Sequence, residues 1–129
     1  MTPQFKPEAY NSLSPYMLVN DASTYIDLLK TVFNAEPLRR FDREDGSVMH
    51  AEVRLDDSVI MISTATAEYP RNNTMLHLYV EHVDEVFARA KQHGFTVISD
   101  PVQQENDSDK RGMLADPEGN VWAVSTQVT

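Results

Sequence analysis

Histidine and carboxylate side chains are the first candidates for chemistry in this chain. His50 and Glu52 are separated by one residue, and His77 follows in a later segment. Two histidines and one carboxylate form a donor set that can bind a divalent transition metal. The same residues can instead hydrogen-bond neighbouring strands, and we favour this second interpretation because isolated histidines are usually not metal ligands.

Other sequence signals for catalysis are weak. The chain contains no cysteine, which excludes a thiol nucleophile, a disulfide and a thiolate metal site. It has no Gly-x-Ser-x-Gly nucleophile motif, and its 4 glycines are too scattered for a phosphate-binding loop. The sequence therefore assigns no catalytic residue.

Composition favours one folded domain that binds a small molecule. The 129 residues are 41% hydrophobic and 24% charged, with a net charge of −9. This charge disfavours a nucleic-acid partner, because such binding relies on Lys and Arg, and it suits a neutral or cationic ligand. Without a secretion signal or a run of about 18 apolar residues, we predict a cytoplasmic protein with no membrane partner.

Two segments of similar length repeat one order of predicted elements. The first has a strand at 14–19, a helix capped by Asp21, and strands at 35–42, 48–55 and 58–64. The second has a strand at 75–80, a helix at 83–93 that Gly94 ends, and strands at 96–102, 110–116 and 121–126. We therefore predict an α+β fold of two βαβββ modules, about 14–66 and 75–126, in a single domain spanning 1–129. The modules are expected to form an eight-stranded mixed sheet curled around a cleft.

Strand alternation predicts which side chains line that cleft. Side chains of a strand point alternately to the two faces of its sheet, and one face packs on the helix of the module. The residues predicted to face the helices are Leu76, Leu78, Val80, Trp122, Val124, Met49, Ala51, Val53 and Leu55. Their neighbours Met75, His77 and Tyr79 then face the cleft, as Tyr16 does in the first strand. His50, Glu52 and Arg54 are expected at the cleft or its rim.

Three strings carry a family resemblance: VMHAEVRL at 48–55, LHLYVEHVDEVFARA at 76–90 and ADPEGNVWAVST at 115–126. They resemble the glyoxalase, bleomycin resistance protein and dioxygenase superfamily, also called vicinal oxygen chelate proteins, and in particular its PhnB-like branch. The resemblance extends from Ser14 to nearly the end of the chain. It implies the paired-module fold and a homodimer.

The resemblance also implies where a metal ion would be held. Metal-dependent members place one ligand in each of four strands, and those positions fall on Ser14, Met61, Met75 and Ala123. A hydroxyl, two thioethers and a methyl group are not the imidazole and carboxylate donors that Zn, Mn, Ni or Fe(II) require. We therefore expect no metal and no cofactor.

The favoured function is metal-free binding of a small organic molecule, of the sequestration type. A cleft rich in aromatic and methionine side chains suits aromatic or planar ligands. The predicted ligand-binding residues are Tyr16, His50, Glu52, Met61, Met75, His77, Tyr79 and Met113. The alternative is a lyase, isomerase or dioxygenase-type enzyme that uses a displaced metal site, formed by His50, Glu52 and His77, or none.

Overall fold

The structure is a computed structural model that describes residues 4–129. The chain divides into two compact units, the first ending at Asn72 and the second beginning at Asn73. Each unit has the order strand, helix, strand, strand, strand, so the α+β class and the two βαβββ modules are confirmed. Neither helix in the described part of the chain is long and apolar enough to cross a membrane.

The first module contains one mixed sheet and one helix. Its elements are β1 (Tyr16–Val19), α1 (Ala22–Phe33), β2 (Glu36–Asp42), β3 (Val48–Leu55) and β4 (Ser58–Thr64). The four strands lie in the order β1-β4-β3-β2. The β1–β4 pair is parallel and the other pairs are antiparallel.

The second module repeats this topology. Its elements are β5 (Met75–Tyr79), α2 (Val83–Gln92), β6 (Thr96–Gln103), β7 (Asp109–Ala115) and β8 (Val121–Gln127). The four strands lie in the order β5-β8-β7-β6, with β5 and β8 parallel. The eight strands are thus divided between two sheets of four.

Local signals in the sequence fix both ends of α1. The Asp21 carboxylate accepts hydrogen bonds from the backbone N–H and the hydroxyl of Thr24, at 3.1 Å and 2.8 Å, and so caps the first turn. Asn34 ends the helix in the left-handed conformation with φ 56°, which asparagine tolerates better than most residues. The buried face of α1 consists of Ala22, Tyr25, Ile26, Leu29, Val32 and Phe33.

Helix α2 packs closely on its sheet because β7 carries a glycine. A Cβ added to Gly112 would lie 2.5 Å from Cζ of Phe87, a buried residue of α2. That distance is too short for any real contact, and the backbone oxygen of Ser99 would be only 2.8 Å away, so a larger residue at this position would displace the buried Phe87 ring or the backbone of β6.

The predicted alternation of faces is confirmed in β8, whereas in β5 the predicted core residues Leu76 and Leu78 are only half-buried. Trp122 and Val124 are 1% and 0% exposed, whereas Met75 and Tyr79 are 65% and 58% exposed. The indole N–H of Trp122 donates to the carboxylate of Asp116 at 2.9 Å. Burial of the polar indole nitrogen is therefore compensated by a hydrogen bond.

One residue of β3 lies outside the predicted pattern. Met49 was expected in the core, but it is 49% exposed and Val48 is fully buried instead. The cause is a bulge: His50 pairs with Phe41 and Val48 pairs with Asp42, so Met49 has no partner in β2. An extra residue in one strand reverses the alternation on one side of it.

The core position of Trp122 gives a stability prediction. Trp122→Ala is expected to lower the free energy of unfolding by about 3 to 5 kcal/mol, because it removes a buried indole and leaves a cavity. Urea denaturation at pH 7 measures this loss. The control, Met75→Ala on the exposed face of β5, should change stability by less than about 0.5 kcal/mol. Equal losses in the two variants would contradict the assignment of faces.

Candidate functional site

The first module presents a polar face on the side opposite α1. Met61 of β4 pairs with Tyr16 of β1 on one side and with Glu52 of β3 on the other, so these three side chains share one face. The next residues along β1 and β4, Met17 and Ile62, point to the other face and are fully buried. Tyr16 is 44% exposed and is therefore accessible to a small molecule.

A line of hydrogen bonds crosses this face. The Tyr16 hydroxyl lies 2.9 Å from His50 Nδ1, and His50 Nε2 lies 2.9 Å from Glu52 Oε2. An ionised carboxylate only accepts, so Nε2 donates to Glu52, and in the tautomer that carries its proton on Nε2 the ring accepts from Tyr16 at Nδ1. Tyr16 is also 3.3 Å from the hydroxyl of Ser63, which donates to the carbonyl of Met49 at 2.6 Å.

The segment before β1 covers the Glu52 end of this line. The Tyr10 hydroxyl donates to Glu52 Oε1 at 2.5 Å, and Arg54 donates to the carbonyl of Ala9 at 2.8 Å. The backbone N–H of Val59 donates to the Asn11 side chain at 3.3 Å. Sequence reasoning did not identify Tyr10 as a site residue because no motif marks it.

Hydrogen bonding keeps Glu52 ionised although it is only 4% exposed. Burial alone would raise the pKa of Glu52, but the hydrogen bonds from Tyr10 and His50 outweigh it, so the pKa lies below its ordinary value. Arg39 contributes at 3.9 Å from Oε1. Burial and the same hydrogen bond to Glu52 raise the pKa of Tyr10, which remains a neutral donor.

The second module carries a separate set of polar groups on β5 and its neighbours. His77 Nε2 lies 2.9 Å from the Ser125 hydroxyl, and the Tyr79 hydroxyl donates to Asp109 at 2.6 Å. The rings of His77 and Tyr79 meet edge to face with centroids 4.7 Å apart. The hydrogen bond to Asp109 raises the pKa of Tyr79. Arg111 donates to the same carboxylate at 3.0 Å.

The predicted ligand-binding residues are divided equally between the modules. The first module holds Tyr16, His50, Glu52 and Met61, and the second holds Met75, His77, Tyr79 and Met113. In the second module, Ala123 pairs with His77 on one side and with Met113 on the other, which places these two on one face. A single cleft lined by both groups stays a prediction.

The donor chemistry does not fit the metal that the fold family implies. Ser14, Met61, Met75 and Ala123 offer no imidazole or carboxylate. Within residues 4–129, no three His, Cys, Asp or Glu side chains are grouped in a way that could hold a metal ion. Of the displaced set, His50 and Glu52 bond to each other and His77 bonds to Ser125.

A family model and a mycobacterial relative each match most of this chain. A family model described as the Glyoxalase/Bleomycin resistance protein/Dioxygenase superfamily matches residues 12–124. The uncharacterized protein Mb0911c of Mycobacterium bovis is 30% identical over 128 residues, which cover 91% of this chain and 84% of that protein.

Solved structures are similar in fold. TioX from Micromonospora sp. ML1 has a TM-score of 0.74 and 19% identity, with 91% of this chain and 98% of that chain covered. A PhnB protein from Bacillus cereus has a TM-score of 0.68 and 18% identity, with 90% and 99% covered.

The ionised state of Glu52 predicts a pH dependence of stability. Because its folded-state pKa is lowered, Glu52 stabilises the fold above its unfolded-state pKa of about 4.3, and this contribution is lost as the pH falls through the folded-state value. Glu52→Gln should therefore cost about 1 to 3 kcal/mol at pH 7 and less at pH 3. Urea denaturation at both pH values tests this.

The control is Glu44→Gln, which alters an exposed carboxylate in the turn between β2 and β3. It should change stability by less than about 0.5 kcal/mol at either pH. If Glu52→Gln lost the same free energy at pH 7 and pH 3, the side chain would contribute by packing alone.

Proposed function

We propose, because the chain belongs to the Glyoxalase/Bleomycin resistance protein/Dioxygenase superfamily, that it binds a small organic molecule without a resident metal ion. The exposed faces of the two sheets supply the binding residues. The ligand has a planar or aromatic part and is neutral or cationic. The strings at 48–55 and 76–90 and the likeness to the Bacillus cereus PhnB protein support placing the chain in the PhnB-like branch.

The observation that carries this proposal is the exposure of large side chains on one face of β1 and of β5, whose other face is buried in β1 and half-buried in β5. Tyr16, Met75 and Tyr79 are 44%, 65% and 58% exposed. Apolar surface combined with a few fixed polar groups is typical of small-molecule sites. Both tyrosines are held by hydrogen bonds, so their rings lose little conformational freedom when a ligand stacks on them.

Electrostatics set the ligand class. The net charge of −9 attracts cations over a long range. Asp109 beside Tyr79 is 5% exposed and bonds to Arg111, so it fixes the tyrosine and is unavailable to a ligand. The ligand contacts we propose are therefore the faces of the tyrosine rings, with a positive charge on the ligand gaining from cation–π attraction.

Proflavine, a planar aromatic cation, is a suitable probe of this site. Tyr79→Ala should weaken its binding by about 1 to 3 kcal/mol, the usual loss for an aromatic anchor, as measured by fluorescence polarisation. Tyr69→Ala, which removes another exposed tyrosine outside the predicted face, is the matched control and should leave affinity unchanged. Equal affinities of wild type and Tyr79→Ala would refute this site.

A homodimer is part of the proposal. Each sheet ends in two edge strands, β1 and β2 in the first and β5 and β6 in the second, and paired edges are protected from wrong association. Native mass spectrometry of the purified protein should give twice the mass of the chain and no stoichiometric divalent metal. A monomer at micromolar concentration would contradict the homodimer. A mass increment of one metal per chain would contradict the absence of a resident metal ion.

A further inference from the structure

The side chains of Tyr16, His50 and Glu52 have the arrangement of a nucleophile, its base and the group that positions the base. The two hydrogen bonds of 2.9 Å join a phenol to one ring nitrogen and a carboxylate to the other. Such a line of three groups is the geometric signature of an activated nucleophile on unrelated folds. Binding of a small molecule, the proposed function, does not require a phenol, an imidazole and a carboxylate joined in this way.

The hydrogen bonds of the line give the phenol proton an acceptor. Glu52 is ionised and accepts from His50 Nε2, which leaves Nδ1 as the acceptor that faces the Tyr16 hydroxyl. When Nδ1 takes the proton, the imidazolium is stabilised by the buried carboxylate behind it. The other polar groups at this line are Ser63 beside Tyr16 and Tyr10 and Arg39 beside Glu52.

Tyr79 in the second module is an exposed tyrosine whose hydroxyl does not hydrogen-bond a histidine. Its hydroxyl donates to the carboxylate of Asp109 instead of an imidazole. A carboxylate next to a phenol opposes ionisation of the phenol, and the pKa of Tyr79 is raised by this contact. The two tyrosines thus differ in their proton acceptors although both are exposed.

We infer that Tyr16 is a nucleophile toward small molecules that carry an activated acyl group, with His50 as its general base and Glu52 as the positioning residue. The Tyr16 oxygen bonds to the carbonyl carbon, the bond to the leaving group breaks with its electron pair, and the phenol proton passes through His50 to the leaving group. Water then adds its hydroxyl to the acyl carbon, the bond between that carbon and the Tyr16 oxygen breaks with its electron pair, and the remaining water proton passes through His50 to the Tyr16 oxygen. The net reaction is hydrolysis.

The test uses p-nitrophenyl acetate and the whole chain. The reaction at pH 7.5 is quenched with acid at successive short times, so that peptide mass spectrometry measures the initial rate of acetylation at each tyrosine before the acetyl group is hydrolysed. Tyr16 should react roughly a hundredfold faster than Tyr69. This factor is the lower end of the rate acceleration that a positioned general base contributes. Tyr69 is an internal reference because it is 62% exposed, more than Tyr16. Acetylation of Tyr16 at or below the rate of Tyr69 would overturn the inference.

Variants separate the roles of the three residues. His50→Gln should reduce acetylation of Tyr16 to the rate of Tyr69, and Glu52→Gln should give an intermediate rate. His93→Gln, which changes an exposed histidine after α2, should leave the rate unchanged. Circular dichroism verifies that each variant folds. If His50→Gln does not fold, the inference is tested by the ratio of Tyr16 to Tyr69 acetylation in the wild type and by the rate in Glu52→Gln. An unchanged rate in folded His50→Gln would exclude His50 as the base.

This inference rests on the proposed function only in requiring that small molecules reach Tyr16. The acetylation assay needs no stacking on Tyr79, and proflavine binding needs no base at Tyr16. Loss of one signal without the other therefore shows which of the two proposals has failed.

Discussion

Alternation of side chains across each sheet is the constraint on which both modules depend. A strand with one face buried under a helix must present its remaining side chains to the opposite face. In β8 this places Trp122 and Val124 in the core, and in β5 it leaves Met75 and Tyr79 exposed. A slip of one residue would exchange the two faces. The stability of the core and the composition of the candidate site are therefore determined by the same register.

Glu52 is a buried residue that hydrogen-bonds to side chains of the exposed face of the first module. An unpaired carboxylate at 4% exposure would cost several kcal/mol in lost hydration. Donors from Tyr10 and His50, with Arg39 nearby, offset this cost. Tyr10 belongs to the segment before β1 and His50 to β3. Docking of that segment is thus energetically coupled to the position of the histidine ring.

Much of the fold follows from local sequence signals. Asp21 and Asn34 mark the ends of α1 through contacts within a few residues. The alternating apolar residues identify the buried face of β8 and the less exposed face of β5. The bulge at Met49 depends on how β3 pairs with β2, which local alternation does not encode. The contact between Tyr10 and Glu52 joins residues 42 positions apart and follows no motif. These two features could not be predicted because they arise from tertiary pairing.

Duplication places different side chains at corresponding positions of the two modules. Tyr16 pairs with Met61 in β1–β4, and His77 pairs with Ala123 in β5–β8, so Tyr16 and His77 occupy corresponding positions. Each also hydrogen-bonds a serine two residues further along the partner strand, Ser63 or Ser125. The backbone geometry is therefore shared, but the corresponding side chain is a phenol in one module and an imidazole in the other. Tyr79 stands two residues beyond His77 on β5, where it pairs with Ser125, so the two tyrosines occupy different positions of the module. They also differ in their hydrogen-bond acceptors, which are His50 for Tyr16 and Asp109 for Tyr79.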